Sequence, residues 1–179
     1  EEFFKYKFDV EYSRESILAG VRNRYLNEME GEKISDDLLP GFELIKNWNL
    51  RADSLNTSAA LSILTLPNAF KLENLKYDRD SITIKLRDNM SYLKKQYGRI
   101  DVPLGRVVRL VRGETSLPLS GGPGTLRAIY SKKSGKNYKA VAGDCYIQAV
   151  EWGPEGQLNA WSIHQYGSST MDKTYPHFD

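Results

Sequence analysis

In Ser81-Ile82-Thr83-Ile84-Lys85-Leu86-Arg87-Asp88-Asn89-Met90-Ser91-Tyr92-Leu93-Lys94-Lys95-Gln96-Tyr97-Gly98, the residues Ile82, Leu86, Met90, Leu93 and Tyr97 recur every three or four positions. That spacing sets them on one stripe of an α-helix, and Gly98 supplies the left-handed conformation that ends one. The same period extends upstream. Ile17, Leu18, Val21, Tyr25, Leu26 and Met29 predict a helix after Tyr12-Ser13, with Ser13 as its N-cap, Glu15 in its first turn and Gly31 at its end. A further helix starts within Ser35–Pro40, where proline is tolerated in a first turn, and carries Leu38, Leu39, Phe42, Ile45 and Trp48. Asp53-Ser54 then caps a short segment with Leu55, Ser58, Ala59, Ala60, Ser62, Ile63 and Leu64, whose small residues allow a close neighbour; Pro67 closes it.

Past Gly98 the character changes. Asp101–Gly105 and Leu117–Gly124 are rich in Pro and Gly and read as loops. Strands are predicted at Thr125–Ser131, Tyr138–Ala142, Tyr146–Trp152 and Leu158–Tyr166, the last two joined by the hairpin signal Gly153-Pro154-Glu155-Gly156. The expectation is therefore an α+β chain of one domain, mainly helical over 1–98 and built of loops and antiparallel strands over 99–179.

Composition narrows the function more by exclusion than by indication. The 179 residues are 40% hydrophobic and 27% charged with a net charge of +2, which suits a folded domain and not a disordered one. The basic residues Lys132, Lys133, Lys136 and Lys139 are interrupted by Ser, Gly, Asn and Tyr and read as a solvated hairpin, so no nucleic-acid partner is expected. No apolar run approaches the roughly 20 residues of a membrane span. Cys145 is alone, and an inert buried thiol is its expected state. His164 and His177 are the only histidines, with no metal-binding spacing, and no cofactor is expected. A triad from Ser120 or Ser168 with His164 lacks the strand-to-helix elbow that exposes a serine nucleophile. The run Ser120–Thr125 lacks the Gly-Lys-Ser/Thr ending of a phosphate loop and reads instead as a tight backbone crossing where side chains do not fit. Asn56-Thr57-Ser58 matches a glycosylation acceptor by chance inside the expected short helix.

Several phrases in order nevertheless resemble the C-terminal stretch of the penicillin acylase superfamily. They are Lys7-Phe8-Asp9…Tyr12-Ser13…Ser16, Trp48-Asn49-Leu50-Arg51-Ala52-Asp53-Ser54, and Leu104-Gly105…Arg109-Leu110 followed by Leu117–Ala128. Gly143–Trp152, Tyr166-Gly167-Ser168-Ser169 and Pro176-His177-Phe178-Asp179 complete the set. Ser168 stands where relatives often have Gln, and Phe178 where they have Tyr.

The resemblance implies the C-terminal part of the large subunit of an N-terminal-nucleophile hydrolase with an αββα fold. Such an enzyme is exported to the periplasm or beyond and cuts itself into two subunits. The serine heading the large subunit attacks an acyl-amide, with its own α-amine as base. Nucleophile, backbone oxyanion donor and oxyanion Asn all lie upstream of this chain by that reading, so no catalytic, cofactor or metal residue is assigned to it. Glu151 matches the position of a late-strand carboxylate that orients a histidine in some relatives; a solvated strand glutamate is the competing reading. The opening Glu1-Glu2-Phe3-Phe4-Lys5 and the ending Tyr175–Asp179 are expected to be cuts through a longer protein. The implied partners are the rest of the large subunit, the small subunit and an acyl-amide substrate. Exposed strand edges would favour self-association. The alternative is a non-catalytic periplasmic ligand-binding or scaffold module.

Overall fold

The computed structural model describes residues 2–67, 77–144, 146–164 and 174. Its helices are α1 (Glu2–Lys7), α2 (Ile17–Met29), α3 (Leu39–Lys46), α4 (Ala59–Thr65), α5 (Arg79–Tyr97) and α6 (Leu104–Val107). Its strands are β1 (Val108–Arg112), β2 (Thr115–Pro118), β3 (Ile129–Ser134), β4 (Asn137–Gly143), β5 (Tyr146–Trp152) and β6 (Leu158–His164). Among the described residues the architecture is α+β, with five of the six helices within 1–98.

Helix α5 is the spine of the core. It buries Ile82, Leu86, Met90 and Leu93, while Asp78 accepts the Ser81 N–H at its start and Gly98 takes φ 78° at its end. Two hydrogen bonds fix its neighbours. The hydroxyls of Tyr25 on α2 and Thr83 lie 3.1 Å apart, and Asn89 donates to the Leu64 carbonyl (3.1 Å) at the end of α4. Helix α4 fits closely because Ala59, Ala60 and Ser62 are small, and all three are buried. Gly41 of α3 faces Met90 and Leu86 so closely that any side chain there would meet them. The end of α3 is likewise tied to the middle of α2, since Arg22 Nε donates to the Ile45 carbonyl at 2.9 Å.

Two helix starts differ from the sequence reading. The N-cap of α2 is Ser16, which accepts the Ala19 N–H at 3.2 Å; Ser13 instead accepts the Glu15 N–H in a preceding turn. Asn56 serves α4 by accepting from the N–H groups of Ser58 and Ala59, whereas the Asp53 carboxylate accepts the Leu55 N–H of an earlier turn. The Asn56-Thr57-Ser58 phrase thus sits before a helix, not inside one. Helices α1 and α6 had no counterpart in the sequence reading. Because an N-cap oxygen satisfies a donor that helix geometry leaves free, Ser16→Ala should cost about 1 kcal/mol and Ser13→Ala less. Urea titrations of the two variants check this, and equal losses would argue against the assignment.

The four-stranded sheet runs β2-β1-β4-β3. Its outer pairs are antiparallel, but β1 and β4 are parallel through Val108↔Tyr138 and Arg109↔Lys139, so the expected all-antiparallel sheet is mixed. The hairpin β1–β2 falls in a region left unassigned or read as loop. Conversely, the strand expected from Thr125 begins only at Ile129, because Thr125 is buried in a turn. Strands β5 and β6 form a separate two-stranded sheet in full register from Tyr146↔His164 to Trp152↔Leu158, with the turn where the Gly-Pro-Glu-Gly signal placed it. One core of buried residues runs from Val10 through α2–α6 to Leu119 and Ile129, and β5 and β6 contribute nothing to it.

Candidate functional site

Three chain segments far apart in sequence meet in one backbone junction beside the core. Tyr12 N–H donates to the Leu50 carbonyl (2.9 Å) and Ala52 N–H to the Val10 carbonyl (2.9 Å), with an antiparallel bridge at Glu11↔Arg51. Arg51 also pairs with the Glu11 carboxylate at 3.0 Å, an exposed contact. The third contribution comes from Gly105 in α6 and from residues 120–127, which follow β2. Gly121 N–H donates to the Ala52 carbonyl (2.7 Å), and Ser54 N–H to Ser120 Oγ (2.9 Å). Gly105 N–H reaches the Ser54 carbonyl at 2.8 Å, and Arg127 N–H the Asp9 carbonyl at 3.3 Å.

Residue choice at the junction follows from its crowding. Trp48 is buried, donates Nε1–H to the Arg51 carbonyl at 2.9 Å and meets Tyr12 edge to face at 5.5 Å. Leu50 holds φ 62°, the one positive value outside glycine among the described residues, and so presents its carbonyl to Tyr12. Gly121 has φ 110°, and a Cβ there would lie inside the Arg127 carbonyl oxygen. A Cβ at Gly122 would lie inside Tyr12 Oη. The glycine run is thus the tight crossing expected of it, and Thr125 closes it by accepting the Gly122 N–H at 3.1 Å.

Tyr12 Oη is buried with no hydrogen-bond partner among the described residues. Burial, and secondarily the nearby Tyr130, pushes its pKa far above the usual phenol value, so it stays neutral and offers no base at ordinary pH. The Ser120 hydroxyl is engaged as an acceptor for Ser54, and a triad built on it finds no support in that contact. Ser168, His177, Cys145 and the His164 side chain lie outside the described residues, as do the phrases Tyr166–Ser169 and Pro176–Asp179 and the expected strand end at Tyr166. Glu151 is exposed, and its cross-strand partner is Asn159. Among the described residues no group of three or more His, Cys, Asp or Glu is placed to hold a metal ion. No helix among them is long and apolar enough to cross a membrane.

Two charged features are occupied by their own neighbours. The lysine-rich segment is the β3–β4 hairpin, latched to α5. Tyr92 and Tyr97 both donate to the Lys136 carbonyl, at 2.9 and 2.6 Å, and Lys133 lies 4.6 Å over the Tyr92 ring. An open cleft of about 620 Å³ between the start of α3 and the end of α5 is lined by Asp36, Asp37, Arg87, Lys94, Arg99 and Asp101. There Arg87 pairs with Asp37 at 3.4 Å and Arg99 with Asp101. The Ser35 hydroxyl, then Arg87, holds the Asp37 carboxyl below its ordinary range, and Arg99 does the same for Asp101.

The arrangement positions backbone and excludes side chains; among the described residues it sets no nucleophile beside a base. No protein-family model matches the chain. No curated protein matches it either.

Proposed function

We propose that the chain is the C-terminal portion of the large subunit of a penicillin-acylase-type amide hydrolase, where it buttresses the fold and carries no nucleophile. The observation that supports this reading is the junction itself. Three of the phrases that resemble the family, at Lys7–Ser16, Trp48–Ser54 and Leu104–Ala128, meet there through backbone hydrogen bonds. The residues that make the phrases recognisable also have structural reasons for their identity: Trp48 fills the junction, Arg51 binds across it, and Gly121 and Gly122 leave room for Arg127 and Tyr12.

In such an enzyme an upstream serine, activated by its own α-amine, attacks the amide carbonyl; the amine leaves and water then frees the acid from the acyl-enzyme. Oxyanion donors near that serine stabilise the tetrahedral charge. A serine-directed phosphonate tests the division of labour. The 179-residue chain should remain unlabelled, while the full gene product should be labelled on the first residue of its large subunit. Labelling at Ser120 or any other serine of this chain would contradict the proposal and favour an independent hydrolase.

A further inference from the structure

Among the described residues, β5 and β6 pair only with each other and place no side chain in the core. A lone two-stranded hairpin is marginal in stability, so this one depends on whatever fastens it to the rest of the chain. Only Asp144 and Cys145 separate the end of β4 from the start of β5. Helix α1 supplies two fastenings. Phe4 and Lys7, three positions apart, project from the same side of that helix. Lys7 Nζ pairs with the Asp144 carboxylate at 2.9 Å, and the two side chains are only 28% and 24% exposed. Asp144 N–H in turn donates to the Ala128 carbonyl at 3.2 Å, so this contact lies at the foot of the hairpin. Phe4 stacks on Phe8 at 6.0 Å and meets Trp161 edge-on, also at 6.0 Å. Trp161 is the cross-strand partner of Ala149, midway along the hairpin. Helix α1 buries none of its own residues and, like the hairpin, lies outside the core.

We propose that β5–β6 is a lobe that opens as a unit while the core stays folded, and that α1 is the strap that holds it closed. Opening the lobe exposes no residue of the core cluster, so it costs far less than unfolding the chain. The strap has two grips with different tasks. Lys7 fixes α1 at the foot of the hairpin, and Phe4 reaches from there to its middle. The chain beyond α1 is tied to the junction, because the Asp9 carbonyl accepts the Arg127 N–H at 3.3 Å. The strap therefore remains in place when the lobe moves. Opening parts Phe4 from Trp161, on the face that Trp161 shares with Ile147, Ala149 and Ile163. The inference does not rest on the hydrolase reading.

Hydrogen exchange of the 179-residue chain, followed by mass spectrometry, tests it. Amides of Tyr146–Trp152 and Leu158–His164 should exchange together, ~100-fold or more faster than those of Ile82–Leu93 in α5. Phe4→Ala removes an aromatic pair and should speed the hairpin amides about 3–10-fold. Lys7→Ala removes a partly buried ion pair and should speed them about 2–5-fold. Neither should change exchange in α5. Ser16→Ala lowers the stability of the body instead, and should speed α5 while leaving the hairpin as it was. Hairpin amides as slow as those of α5 overturn the proposal, because the lobe then opens only by global unfolding. Hairpin exchange that ignores both Phe4→Ala and Lys7→Ala, or that follows Ser16→Ala in step with α5, overturns it as well.

Discussion

Gly121→Ala should destabilise the chain by about 3–5 kcal/mol, a large part of the 5–15 kcal/mol by which a domain is ordinarily stable. Two effects combine. A φ of 110° is one that L side chains rarely adopt, and the new methyl meets a backbone carbonyl, Arg127, which cannot rotate aside. Arg127 is itself held by its N–H bond to Asp9, so relief would require the junction to open. Thermal unfolding followed by circular dichroism should show a midpoint lowered by roughly 10 °C or more. The neighbouring position separates sterics from backbone strain. At Gly122 the obstacle is a side-chain oxygen, Tyr12 Oη, with the ring carbon behind it at 3.3 Å. Tyr12→Phe alone should be neutral or stabilising by about 1 kcal/mol, because it removes a buried hydroxyl that has no partner. Combined with Gly122→Ala it should recover roughly 1–3 kcal/mol of the loss. Additive effects would mean that Tyr12 and Gly122 do not meet.

Trp48→Ala should cost about 3–5 kcal/mol, the range for removing a large buried aromatic. The indole is 2% exposed, supports the Tyr12 ring and donates to Arg51, so its loss leaves both a cavity and a freed carbonyl. Trp48→Phe keeps much of the packing and loses the donor, and should fall between the two. If Trp48→Ala proved as stable as the parent chain in urea titration, the junction would not be a structural centre.

What the sequence revealed and what it hid divide by the range of the interaction. Helix α5 was legible because its stripe, its burial and Gly98 are local, and the β5–β6 hairpin because Gly153–Gly156 marks its turn. Local competition hid the cap of α2: Ser13 and Ser16 are both suited to the role, and only the chain path assigns it to Ser16. Strand β1 was missed because Arg109 and Arg112 interrupt its apolar residues, though they are tolerated where the sheet is half-buried. Its parallel pairing with β4 joins residues about thirty positions apart through only two registered pairs, and no local signal encodes that. The junction shows the same division. Its glycines announced that side chains do not fit, but Tyr12 and Arg127, the atoms they avoid, lie elsewhere in the sequence. Leu50, with an apolar β-unbranched side chain at positive φ, gave no warning at all.

The hydrolase reading is tested most directly by the intact mass and N-terminal sequence of the gene product expressed from its own start codon. Two subunits are expected, the larger beginning with serine and ending in the region that contains Trp48–Ser54 and Leu104–Ala128. A single uncut chain, or a larger subunit headed by a residue that offers no nucleophile, would contradict the self-processing hydrolase and leave the junction as part of a non-catalytic binding or scaffold module.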